Sequence, residues 1–203
     1  MKICKSVLLI LLCTLVIVYS GENMLKVPDF EVNIKTQKIT QEKRGDRLYT
    51  SFSDPEKGFY LSITDEKPIN DAHYKFELDN NSDFREGHVS LMIDLRQVTN
   101  KDYSVTLSCH LLKNFEPGKR YRLHCWVKSD MDNAAGKAFI IMHLDGKHTY
   151  GKKEYFALKK WQKIELEYTI PAGNEIKSYA VRIDCSTAGA CYWFDGFILE
   201  EMQ

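Results

Sequence analysis

Apolar and polar residues alternate with a period of two along much of this chain, which is the pattern of half-buried β-strands. The clearest case follows the turn signal Pro117-Gly118. Four apolar residues there alternate with four that face the other way: Tyr121, Leu123, Cys125 and Val127 against Arg122, His124, Trp126 and Lys128. The second set combines an aromatic ring, an imidazole and cations, and such a face suits flat, hydroxyl-rich ligands.

The same alternation predicts further strands on both sides of this segment, with turn residues between them. They cover residues 30–34, 59–63, 74–78, 89–93, 105–111, 138–144, 164–170, 179–185 and 192–199. About ten short strands at this spacing predict an all-β fold, a sandwich or jelly roll. Residues 35–58 are polar and offer few core candidates, so we expect a long, partly ordered excursion there.

Residues 1–20 have the organisation of a secretory signal peptide. Lys2 and Lys5 precede an apolar run from Val7 to Val18, and Val18-Tyr19-Ser20 suits a cleavage site. The sequence therefore predicts a secreted chain with one domain over residues 21–203. Loss of the two lysines leaves this domain slightly acidic, so nucleic acid and anionic membranes are not indicated as partners. No other segment is apolar enough to predict a membrane span.

Four cysteines follow the signal peptide, and an even number in an exported chain favours disulfides. Cys185 and Cys191 flank Ser-Thr-Ala-Gly-Ala, a sequence suited to a hairpin loop, so a cross-strand bridge is expected there. Cys109 and Cys125 each lie on the apolar face of a strand. They either pair across the core or remain two buried thiols. A zinc site is disfavoured because no metal-type CxxC or HxxxH spacing occurs.

Several pieces of the sequence are informative through their order and spacing. They are Asn23-Met24-Leu25 with Asp29-Phe30-Glu31, Glu86 to Leu91, Leu112 to Lys128, Trp161 to Pro171, and Trp193 to Leu199. Together they resemble the carbohydrate-binding modules of families four, nine, sixteen and twenty-two. The resemblance covers nearly the whole chain after the signal peptide, apart from about residues 35–80.

The resemblance implies a β-jelly roll of two antiparallel sheets, one of them concave and carrying a carbohydrate ligand. It also implies a structural calcium ion, for which the matching positions are Glu31 and Asp195. Calcium prefers several oxygen ligands, which is consistent with these carboxylates. The second Asp of the family's pair is Gly196 here. Glu31 and Asp195 are therefore either calcium ligands or ordinary acids at strand edges.

A candidate ligand site follows from the outward-facing residues of three strands. If these faces meet on one sheet, they form a groove of Trp126, His124, His143, Arg182 and Asp184. Trp can stack on the C–H face of a sugar, while Arg and Asp can bind pairs of hydroxyl groups. Alternatively, Trp126 and Phe139 cover a second small core beneath residues 35–80. Tyr150 and Tyr155, in a Gly- and Lys-rich loop, are the alternative rim residues.

The sequence gives little indication of catalysis. No G-x-S-x-G, HExxH, P-loop or nucleotide-binding glycine pattern occurs, and nothing selects a pair of carboxylates. The expectation is a secreted, non-catalytic carbohydrate-binding protein. The alternative is a protein–protein or cell-surface interaction module on the same fold, and a third hypothesis is a small secreted enzyme acting on glycans.

Overall fold

The structure is a computed structural model, and it describes most of the chain after residue 21. The described residues are 22–25, 38–44, 47–54, 59–65, 75–79, 85, 87, 89–99, 104–144, 147–173 and 175–203. For the described residues between 38 and 65, and for residues 75, 76 and 104, the description is limited to the backbone. The signal peptide, the strand expected at 30–34 and Glu31 lie outside the described residues. The division of the chain at residue 21 therefore stays a prediction.

The described part of the chain forms twelve β-strands. They are β1 Lys38–Arg44, β2 Arg47–Asp54, β3 Phe59–Asp65, β4 Lys75–Asp79, β5 Ser90–Asp94, β6 Ser104–Cys109, β7 Arg120–Ser129, β8 Ala134–Leu144, β9 Lys147–Ala157, β10 Gln162–Thr169, β11 Ile176–Cys185 and β12 Cys191–Met202. No helix in these residues is long and apolar enough to cross a membrane.

The strands form two sheets in which every pairing is antiparallel. One sheet has seven strands in the order β1-β2-β3-β6-β11-β8-β9, and the other has five in the order β10-β7-β12-β5-β4. The inner faces of both sheets supply one apolar core, including Leu107, Ile140 and Ile183 from the first and Leu91, Leu123 and Phe194 from the second. The predicted all-β jelly-roll sandwich is confirmed.

Strand β7 shows how the alternating pattern builds this core. Its inward side chains Leu123, Cys125 and Val127 are at most 1% exposed. Its outward side chains are half-buried on the far side of the same strand. Removing an apolar side chain of this size from water contributes about 1.5–3 kcal/mol, so the inward row fixes which side of β7 faces the core.

Two segments differ from the sequence-based expectation. Residues 35–58 were expected as an excursion, but β1 and β2 lie there, and with β3 they extend the seven-stranded sheet as a meander. These strands are held by backbone pairing, which their polar sequence does not reveal. The Gly- and Lys-rich segment with Tyr150 and Tyr155 was expected as a loop but forms β9. Position 151 of that strand requires glycine, because a β-carbon there would lie 2.7 Å from the Tyr168 ring.

Candidate functional site

The predicted groove does not form, because its five residues lie on two different sheets. His124 and Trp126 belong to β7 in the five-stranded sheet. His143 belongs to β8, and Arg182 and Asp184 belong to β11, both in the seven-stranded sheet. Since both groups face away from the shared core, they lie on opposite sides of the sandwich. The expectation of one groove was wrong, because a period of two assigns a face within a strand but not a sheet.

Arg182 and Asp184 form a hydrogen-bonded group with Thr106 on the outer face of the seven-stranded sheet. Asp184 and Thr106 are register partners on β11 and β6. The Thr106 hydroxyl donates to Asp184 Oδ1 at 2.8 Å and accepts from Arg182 Nη2 at 3.1 Å. Arg182 Nη2 also lies 3.5 Å from Asp184 Oδ1. Thr106 therefore connects a cation and an anion that are two residues apart on one strand.

Arg182 keeps one donor unused in this arrangement. Its Nε atom is buried and has no hydrogen-bond acceptor among the described residues. An unsatisfied buried donor is unfavourable, and it is uncommon in a folded chain. The Arg182 side chain as a whole is 36% exposed, so a rotation of the guanidinium group can turn this donor toward an external oxygen acceptor.

The electrostatics of Asp184 are set by its burial. Burial raises the pKa of the Asp184 carboxyl above its ordinary value, against the opposing effects of Arg182, the Thr106 hydroxyl and Lys137. The Tyr155 hydroxyl, from within the sandwich, donates to the backbone carbonyl of Asp184 at 3.1 Å. This hydrogen bond fixes, from the core side of the sheet, the backbone that carries the Asp184 side chain.

Aromatic rings lie next to this polar group on the same face. Phe139 is the register partner of Arg182, and the guanidinium carbon lies 5.9 Å from the Phe139 ring centroid. Tyr150 on β9 packs edge-on against Phe139, with ring centroids 6.2 Å apart. Tyr150 is 55% exposed. We call Thr106, Phe139, Tyr150, Arg182 and Asp184 the Arg182 cluster.

The outer face of the five-stranded sheet carries all three tryptophans of the chain, but the protein's own cations cover them. The Arg85 guanidinium lies 4.5 Å from the Trp126 ring centroid. The Lys128 ammonium lies 5.0 Å from Trp161 and 5.3 Å from Trp193. We call Arg85, Trp126, Lys128, Trp161 and Trp193 the tryptophan face.

His124 is on the same side as the tryptophan face. It is half-buried, and burial lowers its pKa, so the neutral imidazole is favoured there. Next to it in the outward row, Arg122 forms an ion pair with Glu200 of β12, and Nε donates to Glu200 Oε1 at 2.8 Å. The charges around the two predicted site residues of β7 are therefore largely paired within the protein, while His124 Nδ1, like Arg182 Nε, is buried without a hydrogen-bond partner among the described residues.

All four cysteines of the described residues are free thiols in the structure. The predicted disulfides, Cys185–Cys191 and Cys109–Cys125, therefore stay predictions. Burial raises the pKa of the Cys191 thiol to about 12 and that of Cys125 and Cys185 well above the ordinary value. Because the thiolate is the reactive form, none of these three thiols is suited to nucleophilic catalysis.

The predicted calcium site can be followed only at Asp195, because Glu31 lies outside the described residues. Asp195 is fully buried, and its carboxylate accepts from the backbone N–H of Arg85 at 2.8 Å and of Gly196 at 2.7 Å. Gly196 has a φ of 55°, a backbone conformation that favours glycine. No group of three His, Cys, Asp or Glu comes together within the described ranges. A single carboxylate supplies fewer oxygen ligands than a calcium ion requires, so the calcium site stays a prediction.

Sequence reasoning missed part of the Arg182 cluster. Phe139 was considered only as cover for a second small core, and Tyr150 was only an alternative rim residue. Nothing in the sequence marks Thr106, because a hydroxyl residue between Val105 and Leu107 is ordinary in a strand. Register pairing, which brings Thr106 opposite Asp184, was the missing information.

No family model matches the sequence, and no curated protein matches it. Several solved structures are similar in fold at low identity. A cyclase from Fischerella sp. TAU has a TM-score of 0.54 and 12% identity, covering 90% of this chain and 98% of its own. The enzymatically active domain of bacteriophage CBA120 tailspike protein 4 has a TM-score of 0.51 and 13% identity, covering 89% of this chain and 21% of its own.

TmCBM61 in complex with β-1,4-galactotriose has a TM-score of 0.48 and 16% identity, covering 90% of this chain and 100% of its own. The similar structures thus include both carbohydrate-binding modules and enzymes. At these identities they describe the β-sandwich fold alone. No sequence match supports the predicted membership of a carbohydrate-binding-module family.

Proposed function

We propose that this chain is a secreted, non-catalytic carbohydrate-binding protein whose ligand lies across the Arg182 cluster. The observation that carries the proposal is the unused, buried Arg182 Nε donor beside an exposed aromatic ring on one open sheet face. Sugars present an apolar C–H face and closely spaced oxygens, which match a ring and a fixed donor.

Each residue of the cluster has a separate part in this binding. Tyr150 stacks on one face of a sugar ring, and Phe139 supports Tyr150 from the side. Arg182 Nε donates to a ring or hydroxyl oxygen, and the Asp184 carboxylate accepts from a hydroxyl group. Thr106 holds the two charged groups in place, so little rotamer freedom is lost on binding.

A glycan-active enzyme is the second candidate, and one observation favours it. Asp184 and Glu154 are the register partners of Lys137 on its two neighbouring strands, so the two carboxylates lie in one row across the sheet. Two strand spacings of about 4.8 Å approach the separation of roughly 6.5–9.5 Å used by inverting glycosidases. Burial raises the pKa of Asp184, whereas the hydrogen bond from Lys152 lowers the pKa of Glu154.

Glu154 is exposed and already paired with Lys152, which favours the binding role over catalysis. Turnover of a bound glycan that disappears in Asp184→Asn, with the fold and binding retained, would reverse this preference. Binding without any turnover is the result that the proposal predicts.

The test is a glycan array probed with the wild-type protein and with Arg182→Lys. Lysine keeps the positive charge but has no Nε–H at the same position, so we expect binding to fall sharply. Arg120→Lys on the five-stranded sheet is the matched control, because Arg120 is exposed and pairs with Glu167 there.

Equal binding by wild type and Arg182→Lys would remove the Arg182 cluster as the site. An absence of binding to every glycan, in a folded protein, would favour the interaction-module alternative.

A further inference from the structure

Two histidines face each other at the end of the β8–β9 hairpin, apart from the Arg182 cluster. His143 of β8 and His148 of β9 are direct register partners. Their ring centroids are 4.4 Å apart, and the rings meet edge to face at 82°. His148 is exposed and His143 is half-buried, and both lie on the outer side of the seven-stranded sheet.

Antiparallel pairing fixes the distance between these two rings. Directly opposite residues hold their β-carbons about 4.5–5.5 Å apart, so the two imidazoles are kept together by the backbone. Two nitrogens that bind one tetrahedral ion at about 2.0–2.1 Å lie about 3.3 Å from each other. The rings, with centroids 4.4 Å apart, are close enough that a side-chain rotation at the surface aims a nitrogen of each ring at one point.

We propose that His143 and His148 together bind a divalent transition-metal ion. Neutral imidazole suits Cu²⁺, Ni²⁺ and Zn²⁺, and the Irving–Williams order makes Cu²⁺ the tightest of the three. No third His, Cys, Asp or Glu joins the pair in the part of the chain that the structure describes. Water completes the coordination, and the open positions face solvent on the same side as the Arg182 cluster.

This site stands independently of carbohydrate binding, because it shares no residue with the Arg182 cluster. It is also distinct from the predicted calcium site, since calcium prefers oxygen ligands and the pair offers only nitrogen. The ion joins the strands of the hairpin that forms one edge of the seven-stranded sheet.

The experiment is a titration of the untagged protein, cleared of metal with a chelator, with Cu²⁺, Ni²⁺ and Zn²⁺ separately. Calorimetry gives the affinity, and electron paramagnetic resonance of the Cu²⁺ complex counts the coordinated imidazole nitrogens. The variants are His143→Gln and His148→Gln, and the control is His110→Gln, an exposed histidine outside the pair.

We expect two coordinated imidazoles in the wild type and in the control. Each of the two variants should bind at least about tenfold more weakly, the scale seen even for residues that only orient metal ligands. Wild-type affinity in either variant, or a Cu²⁺ spectrum with no loss of nitrogen coupling in His148→Gln, would overturn the proposal.

Discussion

The outer faces of the two sheets carry similar residue types, but the aromatic rings are covered on one face and exposed on the other. On the tryptophan face, Trp126 lies under Arg85, and Lys128 lies over two further rings. On the other side, the Tyr150 ring is 55% exposed and Arg182 keeps an N–H without an acceptor among the described residues. The two faces therefore differ in whether their aromatic and cationic groups are covered by the protein itself.

Register explains why the two faces differ. Across β7 the outward residues meet long charged side chains, such as Glu165 opposite His124 and Glu200 opposite Arg122. Across β11 the outward residues meet short hydroxyl side chains on the β6 side, with Thr106 opposite Asp184 and Ser108 opposite Arg182. On the β8 side they meet Lys137 and Phe139. The hydroxyl side chains are too short to cover the Arg182 guanidinium group from the β6 side.

The largest expected effect comes from Gly136→Ala, which disturbs the packing of Tyr155 beneath Asp184 in the seven-stranded sheet. A β-carbon there would lie 2.1 Å from the Tyr155 ring and 2.5 Å from the Asp184 carbonyl oxygen. Tyr155 must move, and its hydrogen bond to Asp184 is lost. We expect a loss of about 3 kcal/mol in the free energy of unfolding, measured with urea.

Gly151→Ala is the comparison for this variant, because its β-carbon would also meet a tyrosine ring, that of Tyr168 at 2.7 Å. Tyr168 is only half-buried and has more room to move, so we expect about 2 kcal/mol. Equal stability of Gly136→Ala and the wild type would contradict this account of the face.

The next effect concerns the charge pairing of the five-stranded sheet. Glu200→Gln removes the negative charge that pairs with Arg122, and the Glu200 side chain is only 9% exposed. We expect a loss of about 1 kcal/mol in stability, reduced by the partial exposure of Arg122, with unchanged glycan binding. Glu201→Gln is the control, because that neighbour pairs with Lys119 in solvent. A larger loss in the control than in Glu200→Gln would show that burial does not determine the effect.

Lys128→Ala has a smaller expected effect. It removes the cation that covers two tryptophan rings and leaves the rings themselves unchanged. The ammonium group lies over Trp161 and Trp193, and each such contact contributes about 0.5–1 kcal/mol at a partly exposed site. We expect a stability loss in this range and a change in tryptophan fluorescence. Lys177→Ala, on β11 of the seven-stranded sheet and paired there with Glu175, should leave the fluorescence as it is. Identical spectra for wild type and Lys128→Ala would argue against the contact.

The smallest expected effect is a change in how stability depends on pH. The pKa of Asp184 is raised above 3.8 by burial, so the folded state holds this proton after the unfolded state has lost it. Stability from this group is therefore greatest at low pH and falls as pH rises from 3.8 through the raised pKa.

Urea unfolding of Asp184→Asn across this pH range should lack that fall, while Glu175→Gln, an exposed control, should keep it. A wild-type stability that rises through this window relative to Asp184→Asn would indicate that the Arg182 and Thr106 contacts outweigh burial.

Much of the fold follows from the sequence because its strands alternate. The strands β7, β10 and β11 were predicted from inward residues such as Leu123, Ile164 and Ile183, all of which the structure buries. The strands β1 and β9 were missed because they carry few apolar residues in alternation. Their pairing with neighbours is a long-range property that a local pattern does not contain.

The candidate site was only partly predictable for the same reason. Alternation gave the correct outward direction for Trp126 and Arg182, since both lie away from the core. It could not give the sheet to which each strand belongs. It also could not show that Arg85 covers Trp126, because that contact joins residues far apart in the chain.

The most direct test of the central claim compares Tyr150→Ala with Trp126→Ala in calorimetric titrations with the tightest glycan from the array. Each variant removes one aromatic ring, from opposite sides of the sandwich, and circular dichroism confirms the fold. We predict that Tyr150→Ala weakens binding about tenfold, as loss of a stacking ring should, and that Trp126→Ala binds like the wild type. Loss of binding in Trp126→Ala with full binding by Tyr150→Ala would contradict the account and place the site on the tryptophan face.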